Sequence, residues 1–223
     1  FIRGNKEDYW INRRKDVRCD WKNGNHSIMA MLYNYENLTS ADIDFFESLP
    51  ISQRIAFDGM EPVLACHGTP FANNKKLHLN SEDFEEILHK CEENYIVCGH
   101  THIQGIVYDG EKKIINAGAV GVPLNSPRKA QYMILTSDSC GWNPEFISLE
   151  YDVEKVIKEL HESGLWDLSP YWCRITQHLL YTGEVSHGTA LFRVMKLNGY
   201  KDPWYNIAPS YWEEALRQLG IDQ

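Results

Sequence analysis

The residues of this 223-residue chain whose type and spacing most directly suggest chemistry are His100 and His102, in Gly99-His100-Thr101-His102. Two imidazoles one residue apart are poorly suited to a core, because each needs a buried hydrogen-bond partner. Held in an extended turn they can face one cavity, and neutral imidazole suits Mn, Fe, Zn or Ni. A polar surface turn would carry the same four residues. Two other stretches share the pattern of a short apolar run followed by glycine and a ligand-type residue. Val63-Leu64-Ala65-Cys66 precedes His67-Gly68, and Phe1-Ile2-Arg3 precedes Gly4-Asn5, just as Tyr95-Ile96-Val97-Cys98 precedes the histidine pair. Such runs read as buried strands stopped by glycine. Ligands of open α/β sheets gather beyond the carboxyl ends of strands. Asn5, His67, His100 and His102 therefore form one candidate metal constellation.

The ordered set Gly4-Asn5-Lys6-Glu7-Asp8, His67-Gly68-Thr69-Pro70 and Gly99-His100-Thr101-His102 resembles the later motifs of the calcineurin-like metallophosphoesterase superfamily. Asn116-Ala117-Gly118-Ala119-Val120-Gly121-Val122-Pro123 is similar to the glycine-rich segment of its small bacterial phosphodiesterase branch. The resemblance spans roughly the first two thirds of the chain, and motifs in order are more specific than any one alone. It implies an α/β fold, the four-layer α/β/β/α sandwich with two facing mixed sheets. The family's Asp-x-His and Gly-Asp motifs would precede Gly4, so the resemblance also implies a chain truncated at its N-terminus, lacking its first strands. Two divalent transition metal ions (Mn, Fe, Zn or Ni) are implied, with His67, His100 and Asn5 holding the second and His102 completing the first. Such a pair would withdraw charge from the phosphoryl oxygens and lower the pKa of a bridging water toward ~7, giving a hydroxide nucleophile. Lys6 stands where many relatives carry a histidine that protonates the leaving group, and is either a fixed positive charge for phosphate or a solvated loop residue. The implied function is hydrolysis of phosphodiesters or dinucleoside polyphosphates. A metal-site scaffold that binds a protein partner is the alternative.

Composition bounds these readings. The chain is 43% hydrophobic, enough for one sizeable core with an appendage. A formal charge of −9 argues against nonspecific nucleic-acid binding, while leaving a small phosphoester or nucleotide substrate open. No apolar run approaches the ~20 residues of a membrane span. The six cysteines, at 19, 66, 91, 98, 140 and 173, form no Cys-x-x-Cys pair, which suits a reducing cytoplasm and disfavours a structural zinc. Oligomeric state is not legible.

The elements that must position the site follow from periodicity. The chain from 15 to 25 reads as a polar loop; within it Gly24-Asn25-His26 mimics the Gly-Asn motif but follows no buried strand. Helices are expected over 27–35 and, capped by Thr39-Ser40-Ala41-Asp42, up to Pro50. Strands near 53–57 and 62–66 are joined through Asp58-Gly59. Asn80 with Asp83 caps a helix whose apolar positions Phe84, Ile87, Leu88 and Cys91 recur at helical spacing. A hairpin over 103–108 and 113–116 turns at Asp109-Gly110, and Gly118 and Gly121 are free to adopt positive φ. Strands over 131–136 and 145–151 form a second sheet. After Tyr151 the pattern becomes helical, over 153–163, 170–181, 187–197 and 211–219, the last with Ser210-Tyr211-Trp212-Glu213 as a capping box. The expected domains are 1–151, a metallophosphoesterase domain partial at its N-terminus, and 152–223, a C-terminal helical extension. The extension's tryptophans read as packing, with a lid or dimer surface as the functional alternative.

Overall fold

The computed structural model describes residues 1–16, 21, 26–77 and 82–221. Cys19, Gly24, Asn25, His78 and the expected Asn80 cap lie outside them. In chain order the elements are α1 (Asn5–Lys15), α2 (Met29–Glu36), α3 (Ser40–Ser48), β1 (Ser52–Ile55), β2 (Val63–Cys66), α4 (Glu82–Lys90), β3 (Tyr95–Cys98), β4 (Gly105–Asp109) and β5 (Lys112–Asn116). These are followed by β6 (Lys129–Asp138), β7 (Gly141–Glu150), α5 (Val153–Glu162), α6 (Leu165–Leu168), α7 (Pro170–Thr182), α8 (His187–Asn198) and α9 (Pro209–Gln218). The chain divides into two compact units. One is Phe1–Lys15, Ser40–Gly121 and Ala130–Leu149; the other is Asp16–Thr39, Val122–Lys129 and Glu150–Gln223. The second unit thus takes in 16–39 and 122–129 as well as the helices that follow residue 151.

The first unit is a mixed α/β structure around a five-stranded sheet of order β1-β2-β3-β5-β4. Its centre is parallel, β2 with β3 and β3 with β5, and its two edges are antiparallel hairpin partners. Successive side chains on a strand point to opposite faces, and each face here has its own cover. Leu64, Cys66, Ile96, Cys98, Val107 and Ile114 pack with Phe84 and Ile87 of α4. Val63, Tyr95, Val97, Ile106 and Ile115 pack with Met133, Leu135 and Trp142 of the two-stranded β6-β7 sheet. Helix α4, the mixed five-stranded sheet and the two-stranded β6-β7 sheet are therefore three successive layers of a mixed α/β fold. Ile87, Ile96 and Ile115 are fully enclosed, each worth about 1.5–3 kcal/mol of apolar burial.

The expected strand at the start of the chain does not form. Among the described residues, 1–4 pair with no strand; the Arg3 amide donates to the Pro50 carbonyl at 2.8 Å, and Asn5 opens α1 directly. Three residues with one such bond cannot make a ladder, whereas α1 gains a partner in α3. Trp10 lies 5.8 Å from Phe46 between ring centroids, and Arg14 reaches Asp44 at 2.6 Å.

The second unit is helical. Tyr171, Ile175, Ala190, Val194, Trp212, Ala215 and Leu216 form its largest core, where Trp212 stacks on Tyr171 at 5.6 Å. Trp166 and Trp172 pack against a second cluster around Leu165 and Cys173. Asp152 caps α5 and Ser186 caps α8 through side-chain acceptors. Ser210 does not cap α9: Pro209 takes the first helical turn and Ala208 the cap position. Proline's fixed φ and missing N–H suit that first position, so the helix starts earlier than the capping-box pattern suggests. Among the described residues, no helix is long and apolar enough to cross a membrane.

Candidate metal centre

Parallel pairing of β2 with β3 matches Val63 to Tyr95 and Ala65 to Val97, so both strands end at one level. The register continues one step into the loops, where the Gly99 amide donates to the His67 carbonyl at 2.9 Å. The side chains beyond that tie meet. His100 Nδ1 lies 3.3 Å from His67 Nε2, and the two rings are edge to face with centroids 5.1 Å apart. Asn5 Oδ1, at the first residue of α1, lies 3.0 Å from the same His67 Nε2. Two ligands each about 2.0–2.2 Å from one metal ion stand roughly 3.0–3.5 Å apart at tetrahedral or octahedral angles. The two spacings to His67 Nε2 each fit a pair of ligands on one ion.

The histidine turn is held in an uncommon backbone state. His100 has φ 63° and His102 φ 60°, both in the left-handed region that side chains other than glycine enter at a cost of roughly 1–2 kcal/mol. Strain of this kind persists where the surroundings over-determine it, and it concentrates at functional sites. Gly118 also has positive φ, at 84°, whereas Gly121 does not; the freedom expected of both is used at one.

Electrostatics keep the imidazoles neutral. Burial pushes the His67 pKa down, opposed by Glu7 and reinforced by His102. His100 is pushed to about 4, first by burial, then by repulsion from His67, Lys76 and His102. Neutral rings leave lone pairs available to a metal at ordinary pH, and Asn5 adds an oxygen donor without charge. Among the described residues, no three His, Cys, Asp or Glu side chains converge on one point. The set that fits a metal is therefore two imidazoles and one amide, with His102 near enough to push down the pKa of both rings.

Sequence reasoning missed the network that aims Asn5. Asn73, nearly buried, donates to the Gly4 carbonyl at 3.1 Å and to Asp8 Oδ2 at 2.8 Å, while Arg3 pairs with Asp8 Oδ1 at 3.2 Å. Asp8 is thus tied to the start of α1. A Cβ at Gly4 would meet the flexible tip of Glu7, 2.6 Å from Oε2, which would have to move aside, and would lie at ordinary contact distance, 3.5 Å, from the His67 ring. Asn73 carries no motif of its own, so only the close approach of distant segments identifies it. Lys6 reaches the surface with its Nζ 5.3 Å from the centroid of the Tyr9 ring, yet packing around the ammonium pushes its pKa below the ordinary lysine value, opposed by the Glu7 carboxylate. The histidines without motifs behave as ordinary residues: His89 is exposed, His161 stacks on Trp166, and His187 bonds Thr176.

A metallophosphoesterase from Sphaerobacter thermophilus shares this fold with TM-score 0.61 and 21% identity, over 82% of this chain and 76% of its own. A hypothetical protein from Pyrococcus horikoshii OT3 superposes with TM-score 0.61 and 16% identity, over 83% and 73%. No curated protein matches the chain. The family model described as the calcineurin-like phosphoesterase superfamily domain matches residues 2–139, a span that contains the strand ends, the histidine turn and Asn5. The chain belongs to the calcineurin-like phosphoesterase superfamily.

Proposed function

We propose that this chain hydrolyses phosphodiesters or nucleotides, dinucleoside polyphosphates among them, with two divalent transition metal ions. One observation carries the reading: Asn5 Oδ1, His67 Nε2 and His100 Nδ1 meet within 3.0–3.3 Å contacts at the ends of two parallel strands and one helix. Membership of the superfamily supports metal-dependent phosphoester hydrolysis in general. His67, His100 and Asn5 would hold one ion and His102 would complete another. When bound, such ions withdraw charge from phosphoryl oxygens, orient the ester and lower the pKa of water toward ~7.

The chain's own residues set the conditions for that chemistry. Burial keeps His67 and His100 deprotonated, and the amide of Asn5 leaves the charge of a dication unneutralised, so an anionic phosphate is drawn in locally. The bond from Gly99 to His67 fixes the two strand-end loops against each other, limiting the reorganisation on which catalytic rate depends. The net charge of −9 disfavours long polyanions at a distance and suits a small ester. Neither a membrane nor nonspecific nucleic acid is part of this proposal.

A metal-site scaffold that binds a protein partner without turnover is favoured by a different observation. The three converging donors are all neutral, and Asp8 is held by Arg3 and Asn73. Hydrolysis of bis(4-nitrophenyl) phosphate and of dinucleoside polyphosphates, measured on chelator-stripped protein with and without added Mn²⁺, separates the two. Turnover that requires Mn²⁺ supports the enzyme. Mn²⁺ binding without turnover of either class supports the scaffold, and equal turnover with and without metal rules out the metal-dependent mechanism.

A further inference from the structure

We infer that Asn116 is the positioning residue of the histidine turn, an inference that rests on the metal-dependent reading above and concerns how the chain prepares that site. Asn116 ends β5, in register with Cys98 at the end of β3. Its Nδ2 donates to the Gly99 carbonyl at 2.6 Å and to Thr101 Oγ1 at 2.9 Å. Its Oδ1 accepts from the Gly118 amide at 3.0 Å. One side chain therefore grips the residue before His100, the residue between His100 and His102, and the glycine segment that follows β5.

The placement matters because both histidines sit at left-handed φ, a state that L residues leave unless held. Thr101 is the pivot between them. Its amide donates to the Gly99 carbonyl at 2.7 Å, so the carbonyl that Asn116 grips also closes the turn. The Gly99 amide in turn donates to the His67 carbonyl, which carries the restraint to the neighbouring strand end. On the other side, Gly118 at φ 84° can present its amide to Asn116 because it lacks a Cβ; one built there would lie 2.5 Å from Gln131 Oε1. Without the Asn116 donors, Thr101 Oγ1 and the Gly99 carbonyl lose a common anchor, and the turn can relax to negative φ, swinging both imidazoles.

The test uses Asn116→Ala and Thr101→Val, which remove the two ends of the Asn116–Thr101 bond, together with the double variant. Two readouts are taken: the backbone amide and imidazole NMR shifts of His100 and His102 in metal-free protein, and Mn²⁺ affinity by calorimetry. Removing a partner that orients ligands from behind weakens metal binding ~10–100-fold, and residues acting as one unit are non-additive. The expected result is shifted His100 and His102 resonances in both variants, Mn²⁺ affinity weakened in that range, and a double variant little worse than the worse single. Should Asn116→Ala fail to fold, the isosteric Thr101→Val alone carries the same expectation. Unchanged His100 and His102 shifts, or Mn²⁺ affinity within twofold of the parent in the folded variants, overturn the role. A parent protein that binds no Mn²⁺ sinks the metal-dependent reading, while the metal-free spectra still decide the role of Asn116.

Discussion

His67 Nε2 lies 3.3 Å from His100 Nδ1 although 33 residues separate them in the chain. The contact depends on two strands ending at one level, so it reports the parallel register of β2 and β3 as much as the chemistry of either ring. If both rings serve one ion, removing either empties a position that the other cannot fill. His67→Ala and His100→Ala should each nearly abolish Mn²⁺-dependent turnover. The double variant should be scarcely worse than either single, because groups acting as a unit are non-additive. Steady-state rates of the three variants, with His89→Ala as an exposed control, check this. Multiplicative losses in the double variant would mean that the two rings act separately.

Gly68 follows His67 and is enclosed by backbone. A Cβ there would lie 2.5 Å from the Lys75 carbonyl oxygen and 2.8 Å from those of Ala72 and Asn73. Backbone cannot swing aside as a side-chain tip can, so Gly68→Ala should displace the loop that carries Asn73 and, through it, the start of α1. Overpacking of this kind costs about 1–3 kcal/mol. For a chain of this size the midpoint should fall by roughly 2–12 °C. Gly121→Ala, with open space around its Cβ, should be near neutral. Thermal unfolding of both variants tests the contrast, and equal midpoints would show that the loop yields freely.

The expected strands reappear as β2, β3, β4 and β5 because short apolar runs bounded by glycine and Asp-Gly turns encode them locally. The candidate histidines stand out for the same reason, since His67 directly follows one such run and His100 and His102 follow another within four residues. What sequence could not show is what depends on distant partners. Phe1-Ile2-Arg3 has the composition of a strand, but forming one needs a neighbour, and the Arg3 amide finds Pro50 instead. Asn73 looks like any loop asparagine until its amide is seen spanning Gly4 and Asp8. The affiliation of 16–39 and 122–129 with the C-terminal helices is likewise invisible to periodicity, since it reflects packing and not local pattern.

Cys173 is fully enclosed in the helical unit, and burial pushes its thiol from 9.0 up to about 12. An unfolded thiol ionises from about 9 upward, so between these values the folded chain binds more protons than the unfolded one. Stability then falls as pH rises through that window, and the contribution is complete below it. Cys173→Ala should remove its share of this alkaline loss between pH 9 and 11, leaving those of the buried Cys66, Cys91 and Cys98 thiols, whatever the cavity costs at neutral pH. Denaturant unfolding across the range measures the slope. Because the thiolate is the reactive form, iodoacetamide at pH 8.5 should label exposed Cys140 and spare Cys173 in folded protein. Labelling of both at one rate without unfolding would contradict the burial argument.

Lys6 stands beside Asn5 in the first turn of α1, exposed, with its ammonium 5.3 Å from the centroid of the Tyr9 ring. Histidine, with an unperturbed pKa of about 6.5, would be a fair proton donor near neutrality, whereas an ordinary lysine at about 10.4 releases its proton reluctantly; packing around the Lys6 ammonium pushes it below that ordinary value, opposed by the Glu7 carboxylate. Neighbouring dications would lower that value by repulsion, but the same repulsion turns a flexible ammonium outward. Resting over Tyr9, one turn along the helix, gives it somewhere to go. Leaving-group protonation should therefore be weak, and esters with acidic leaving groups should be cleaved far faster than alkyl esters. Lys6→Ala should cost much less than loss of His67 or His100, and should affect nitrophenyl and alkyl phosphodiesters alike. Rates for both esters, with and without the substitution, decide the matter. A large loss confined to the alkyl ester would make Lys6 the general acid and overturn this assignment.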